Sequence, residues 1–403
     1  MTIGSGTFSA SNPIKVMVVD DSAVIRGFLV KILESCPDIE VKSIAANGLI
    51  AVNNLSKGKH DIIILDVEMP VMDGLSAIPR LLSIQPDVKI FMFSTLTTEN
   101  AETTMRALGL GAVECLAKPT STQDIYAKDA FKDTLIRMIY EIVGAKMQPV
   151  TKPRDTGAAP SRIAPRPSIG TSVSPAPSSA APAGKEIPIQ SKLHPRAAKT
   201  IKLRGPTEGF TGKPELLAIG SSTGGPNALF KLLGTLRGID IPVVITQHMP
   251  PTFTRILAEH IKQQTGLASV EAEDGMPLVA GRIHIAPGGF HMLIDRKGAT
   301  PILKIDNGPM ENFCRPAVDP MLRSAAKIFG SKIMTVILTG MGQDGMLGAR
   351  DIVAAGGRVI AQDEATSVVW GMPGATALDG TCSAVLPLDE IGPWLRKSSL
   401  RLP

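Results

Sequence analysis

Residues 216–226 read LLAIGSSTGGP, and this stretch decides the architecture of the second half of the chain. A short apolar run stops abruptly in small and hydroxyl residues. An amphipathic helical pattern follows, with Leu229, Leu232, Leu233 and Leu236 on one face. Gly220, Ser222 and Gly224 form G-x-S-x-G, the spacing of a nucleophile elbow. In that motif a serine sits on a sharp strand-to-helix turn, and glycines leave room for an unusual backbone and an approaching substrate. The helix start behind it offers free N–H groups to a developing negative charge. A phosphate-binding turn is the competing reading of the same residues.

Outward from this turn, the chain repeats one pattern. LLAIG, PVVITQH, RIHIAP, KIMTVILTG and RVIAQD read as strands interleaved with helices, and HIAPGGFHM reads as a hairpin around Pro-Gly-Gly. Before residue 145, KVMVVD, VKSIAA, DIIILD, VKIFMFS and AVECLA alternate with helical segments, the last over about 130–143. Strand–helix alternation predicts parallel sheets with helices on both faces. The expected fold is α/β: two doubly wound parallel-sheet domains, a flavodoxin-like one and then a Rossmann-like hydrolase domain with a β-hairpin. The predicted boundaries are a disordered tail over 1–13, a first domain over 14–144, a linker over 145–212 and a second domain over 213–403.

Composition locates the linker. Residues 145–212 hold 11 of the 32 prolines and 11 Lys/Arg against 3 Asp/Glu, so a net +8 sits there and −3 elsewhere. Such a Pro/Ala/Ser-rich segment without periodicity cannot bury enough apolar surface to offset chain entropy, and it reads as a disordered tether. The basic character therefore belongs to no folded face, which argues against a nucleic-acid-binding domain. No apolar run approaches the roughly 20 residues of a membrane span, so no membrane insertion is expected. The four cysteines are scattered without C-x-x-C or zinc spacing, consistent with a reducing, cytoplasmic compartment.

In sheets of this type ligands gather beyond the carboxyl ends of the strands. In the first domain those ends carry Asp20, Asp21, Asp66, Thr95 and Lys118. Converging carboxylates repel one another unless a cation joins them, and a hard ion such as Mg²⁺ is the natural solution. Asp66 is then a candidate nucleophile toward a phosphoryl group. DD, LDVEMPVMDG, ST and KP in this order resemble a two-component receiver domain. That resemblance implies Asp66 as phosphoacceptor, Asp20, Asp21, Asp66 and the Glu68 carbonyl as Mg²⁺ ligands, and Thr95 and Lys118 as sensors of the phosphoryl group.

In the second domain, Ser222, His248 and Asp344 all fall at inferred strand ends. A nucleophile, a base and a carboxylate at one sheet edge match the logic of a catalytic triad. Their order differs from the Ser…Asp…His of ordinary α/β-hydrolases and argues for a distinct fold. Ser221 lacks the flanking glycines that frame Ser222. His291 is a candidate for lining the site. TGMGQDG, residues 339–345, offers backbone N–H groups near Met341 as an oxyanion hole, and Thr223 is a further supporting candidate. A nucleotide loop is the alternative, but G-x-G-x-x-G and G-K-[ST] are both absent.

IGSSTGGP, ITQHMPP, EAEDG, HIAPGGFHM, RPAVD, ILTGMGQDG and GMPGA together resemble the chemotaxis receptor methylesterases, the CheB family. The resemblance implies hydrolysis of glutamate γ-methyl esters on chemoreceptor signalling helices, releasing methanol, and deamidation of receptor glutamines. It implies a chemotaxis histidine kinase as phosphodonor and no cofactor for the hydrolysis itself. It assigns Ser222 as nucleophile, His248 as general base and then acid, and Asp344 as orienter. A phosphate-accepting domain joined to an enzyme with a bulky substrate suggests that the unphosphorylated receiver packs over the Ser222 edge and blocks it.

Overall fold

The computed structural model describes residues 9, 11–94, 98–118, 127–144, 201–205 and 213–397. Thr95 and most of the tail and linker expected over 1–13 and 145–212 lie outside the described residues.

The first domain runs β1 (Ile14–Val19), α1 (Ala23–Leu33), β2 (Ile39–Ala45), α2 (Gly48–Leu55), β3 (Ile62–Asp66), α3 (Gly74–Ile84), β4 (Lys89–Ser94), α4 (Thr98–Gly109), β5 (Glu114–Ala117) and α5 (Ala127–Ile142). Its five strands pair in parallel in the order β2-β1-β3-β4-β5. The central strand β3, IIILD, is buried along its whole length, as a strand covered on both faces must be.

The second domain continues with β6 (Leu216–Ser221), α6 (Gly225–Gly234), β7 (Val243–Gln247), α7 (Phe253–Thr265), β8 (Ala268–Glu271), β9 (Arg282–Ile285), β10 (His291–Lys297), β11 (Thr300–Asp306), α8 (Val318–Phe329), β12 (Ile333–Ile337), α9 (Met346–Ala354), β13 (Arg358–Gln362), α10 (Met372–Leu378), β14 (Ala384–Leu386) and α11 (Leu388–Leu395). Seven strands form a parallel sheet ordered β14-β13-β12-β6-β7-β9-β8. The chain enters at β6, winds outward to β8, then returns to the other side through β12. The topological switch point therefore lies between β6 and β12, where a crevice opens at the carboxyl edge.

The hairpin expected around Pro-Gly-Gly forms elsewhere in the chain. The Pro-Gly-Gly turn does not close a hairpin between the strands that flank it. β9 lies between β7 and β8 in the parallel sheet, and β10 pairs antiparallel with β11. The reason is burial: Ile283, His284 and Ile285 are all inaccessible, which suits an interior strand and not a hairpin arm. The hairpin turn falls instead where Lys297 pairs with Thr300, and Gly298 supplies a positive φ of 62°. Residues 201–205, placed in the linker by composition, lie against the second domain: Arg204 N donates to the Cys382 carbonyl at 2.9 Å, and Ile201 packs beside its core.

The two domains share apolar cores. Met105 and Leu108 of α4 join one buried cluster with Leu229 and Leu232 of α6 and Leu257 of α7. Leu135 and Ile139 of α5 share another with Val369. At the turn after β6, Gly224 N donates to the Val113 carbonyl and the Asn227 carboxamide to the Ala112 carbonyl, both at 3.2 Å.

Gly225 shows how tightly this turn is packed. A Cβ on it would stand 2.0 Å from Gln247 Oε1. Gly225→Ala should displace the Gln247 side chain and lower stability by about 1–3 kcal/mol through the polar groups left unpaired. Urea denaturation monitored by circular dichroism checks this, and an unchanged midpoint would contradict it.

Candidate functional site

The register of β6 and β7 aligns Ser221 with Gln247, which sets the next residues, Ser222 and His248, side by side at the sheet edge. Backbone bonds fix both. Ser222 N donates to the Thr339 carbonyl at 3.0 Å, and His248 N donates to the Ser221 carbonyl at 3.1 Å. Gln247 staples the pair from below: its Nε2 donates to the carbonyls of Ser222 and His248 at 2.9 and 3.2 Å. Its Oε1 accepts from the Ser221 hydroxyl at 2.6 Å, which commits that buried serine to structure and leaves Ser222 facing the cavity. The left-handed residue of the turn is Gly224, with φ of 73°, and not the serine itself.

His248 Nε2 donates to Asp344 Oδ2 at 2.7 Å. The carboxylate acceptor holds a proton on Nε2, so Nδ1 is the nitrogen turned away from Asp344. Nδ1 meets the Cys314 thiol, with Sγ at 3.4 Å. Among the described residues no hydrogen bond reaches the Ser222 hydroxyl. Ser222, His248 and Cys314 line one cavity of 440 Å³.

Asp344 is 1% exposed and fully committed. Oδ2 also accepts from Val318 N at 2.6 Å, and Oδ1 accepts from Asn312 Nδ2, Asp319 N and Gly345 N at 2.9, 3.0 and 3.0 Å. Burial pushes this carboxyl up, but the imidazole and the backbone donors outweigh it and hold it below the ordinary 3.8. Burial likewise pulls the imidazole down, and the hydrogen bonds to Asp344 and Cys314 overcome it, raising His248 from 6.5 to about 10. Asp319, also buried, goes the other way, pushed up to about 6 by burial and by the neighbouring Asp344 charge.

The first domain closes this cavity. Glu114, Cys115, Thr134, Arg137 and Met138 line it from the receiver side. Burial raises the Glu114 carboxyl, opposed by the Cys115 N–H, which donates to it at 3.0 Å, by Thr223 and by the nearby imidazole. Of the oxyanion candidates, Met341 also lines the cavity, and no acceptor among the described residues meets the Thr223 or Met341 N–H. His291 does not join the site: it lines a separate 240 Å³ pocket, with Nε2 donating to the Pro309 carbonyl and Nδ1 accepting from Ala317 N.

At the edge of the first sheet, oxygens of Asp20, Asp21 and Asp66 lie within 4.8 Å of one another. Lys118 Nζ bridges Asp20 Oδ2 at 2.9 Å and Asp66 Oδ1 at 2.7 Å. Burial raises Asp66 to about 6, against the lowering influence of Lys118. An all-oxygen, anionic donor set of this kind fits Mg²⁺.

Gln247, Asn312, Cys314, Asp319 and Glu114 were not singled out from the sequence. Gln247 alone had a local signal, as a polar residue inside the strand run that ends at His248.

The paired shifts predict a pH signature. Raised His248 contributes stability that is fully present below its unfolded value of 6.5 and is lost as pH rises toward about 10. Lowered Asp344 contributes stability that is present above 3.8 and is lost as pH falls below it. The denaturation gap between the native chain and Asp344→Asn should therefore be widest between these limits, near pH 5–6. It should shrink toward pH 10; a gap that widens with alkali would contradict the pairing.

Residues 217–395 match the CheB methylesterase family, and residues 16–128 match the response regulator receiver domain. The crystal structure of the Thermotoga maritima CheB methylesterase catalytic domain aligns at 42% identity with a TM-score of 0.44, covering 46% of this chain and 98% of that one. The chain is 49% identical over 398 residues to a protein-glutamate methylesterase/protein-glutamine glutaminase of Azospirillum brasilense, covering 98% of this chain and 94% of the relative. It is 48% identical over 402 residues to the protein-glutamate methylesterase/protein-glutamine glutaminase of group 2 operon of Rhodospirillum centenum, covering 99% and 98%. With relatives matched along their full length and a histidine–aspartate pair opening on a serine at the sheet edge, the chain belongs to the CheB methylesterase family, with a response regulator receiver domain ahead of the methylesterase domain.

Proposed function

We propose that this chain hydrolyses glutamate γ-methyl esters on chemoreceptor signalling helices, under control of phosphorylation at Asp66. The observation that carries the reading is the His248–Asp344 pair, whose other nitrogen, Nδ1, meets the Cys314 thiol at the cavity that Ser222, His248 and Cys314 line together. Ser222 Oγ attacks the ester carbonyl while His248 Nδ1 takes its proton. The N–H groups of Thr223 and Met341 receive the oxyanion. As the tetrahedral species collapses, the imidazolium returns the proton to the methoxy group and methanol leaves. Water then attacks the acyl-enzyme by the same route, freeing glutamate and Ser222. A glutamine carboxamide passes through the same acyl-enzyme with ammonia as leaving group, which accounts for the paired activity in the relatives' names. Nucleophile, base and orienter are all side chains, so the hydrolysis calls for no cofactor.

The receiver supplies control. Asp66 attacks the phosphorus of a phosphohistidine supplied by a chemotaxis histidine kinase, the P–N bond breaks with the donor imidazole as leaving group, and Lys118 balances the added charge. Mg²⁺ held by Asp20, Asp21, Asp66 and the Glu68 carbonyl, when bound, neutralises the phosphoryl oxygens; Thr95 completes the sensing pair. Packing of β5 and α5 over the Ser222 cavity supports an unphosphorylated receiver that keeps a helical substrate out. In this docked form the contacts with Asp344 and Cys314 hold His248 above its ordinary value. The substrate is met from the cytoplasmic side. Among the described residues no helix is long and apolar enough to cross a membrane.

Methanol release from methylated receptor membranes tests both parts. Ser222→Ala should lower the rate by at least about 10³-fold. A small phosphodonor with Mg²⁺ should stimulate the native chain and not Asp66→Ala, while Glu114→Ala should raise the unphosphorylated rate. Equal release from native and Ser222→Ala chains would remove Ser222 as nucleophile, and an unphosphorylated rate unchanged in Glu114→Ala would detach this receiver contact from inhibition.

A further inference from the structure

Three consecutive residues before α8 reach the site in three different ways. Asn312 Nδ2 donates to Asp344 Oδ1 and to Asp319 Oδ2, each at 2.9 Å. The Cys314 thiol faces His248 Nδ1 at 3.4 Å. Phe313, between them, is 91% exposed at the rim of the cavity that Ser222 lines.

Their backbone is strained. Glu311 and Cys314 exchange two backbone hydrogen bonds, N to O, at 3.2 and 2.9 Å, closing a two-residue turn. Asn312 and Phe313 have φ of 51° and 60°. Two positive φ values in succession mark a type I′ turn, which favours Asn first and Gly second. Asn312 fits that preference. A phenylalanine in the glycine position does not, and its ring gains almost no burial to offset the strain. The turn is anchored to α8 by the Glu311–Arg323 ion pair at 2.6 Å.

We propose that the Asn312–Cys314 turn is a clasp for the methylesterase reaction: Asn312 and Cys314 are positioning residues that hold Asp344 and His248, and Phe313 is the apolar contact for the substrate segment carrying the ester. The proposal rests on the methylesterase reading above. Asn312 ties the orienting carboxylate to Asp319, so that Oδ2 stays aimed at the imidazole. Cys314 holds the ring through Nδ1 at the cavity and gives up that contact when the Ser222 proton arrives. Strain at Phe313 places a large apolar ring where a protein substrate first touches the rim.

Steady-state kinetics on methylated receptor membranes separate the roles, with Ser222→Ala as the inactive control. Phe313→Gly relieves the turn, so its thermal midpoint should hold or rise while KM increases about tenfold and kcat is kept. Asn312→Gly preserves the backbone and removes the carboxamide, and kcat should fall about 10- to 100-fold with KM near native. Cys314→Ala should lower kcat, and Cys314→Ser, which keeps a donor, should restore most of it. In proton NMR the far-downfield Nε2–H signal of His248 should broaden in Asn312→Gly and persist in Phe313→Gly. A Phe313→Gly chain with unchanged KM, or an Asn312→Gly chain with native kcat and a native downfield signal, would overturn the proposal. Should the native chain release no methanol, the methylesterase reading fails first. The NMR arm then still decides the positioning roles, and cosedimentation of Phe313→Gly with receptor membranes decides the contact.

Discussion

The second domain is organised around one buried charge. Asp344 is 1% exposed, and an isolated carboxylate there would cost far more than a domain's margin of stability. It is tolerated because five donors converge on it: His248, Asn312 and the backbone N–H groups of Val318, Asp319 and Gly345. Two of those N–H groups open α8 and one precedes α9, so two helix starts face the same carboxylate and favour its negative form. The positions of α8, of the 312–314 turn and of the imidazole therefore all follow from satisfying one side chain. A substitution that loosens any donor acts on the orientation of His248 before it acts on the reaction.

The receiver meets this arrangement at its most sensitive point. Val113 and Ala112 accept from Gly224 and Asn227 in the turn that carries Ser222, and Glu114 lines the same cavity as Thr223, the next residue. β5 lies beside β4 in the first sheet and is followed directly by Lys118, whose ammonium rests on Asp66. One short strand thus has the Lys118–Asp66 ion pair beyond its carboxyl end and the turn that carries Ser222 at its amino end. Such a strand is physically suited to couple the two sites, since a change at Lys118 need travel only four residues to reach Glu114.

Much of this was legible in the sequence, because parallel strands buried on both faces write themselves as apolar runs. β1, β3, β6, β7 and β12 could be marked from residue type alone, and the residues at or after their ends were named Asp20, Asp66, Ser222, His248 and, seven residues past β12, Asp344. Short elements were not legible: α2, β8 and β14 are 8, 4 and 3 residues long and carry too few positions to show a period. The hairpin was misplaced because Pro-Gly-Gly looks like a turn, while the burial of β9 that excludes it depends on its neighbours. Asn312, Cys314 and Asp319 were invisible for a related reason. Their roles arise from a loop folding back on strand ends more than twenty residues away in the chain. Glu114 depends on the docking of one domain on another, which no local pattern records.

The central claim is that Ser222, and not the thiol now seated at the imidazole, carries the acyl group. Rapid quenching of the phosphodonor-activated chain during turnover of methylated receptor, followed by proteolysis and mass spectrometry, reads this directly. The account predicts a transient acyl adduct on the peptide containing Ser222, absent from Ser222→Ala. An adduct on the peptide containing Cys314, retained in Ser222→Ala, would contradict it.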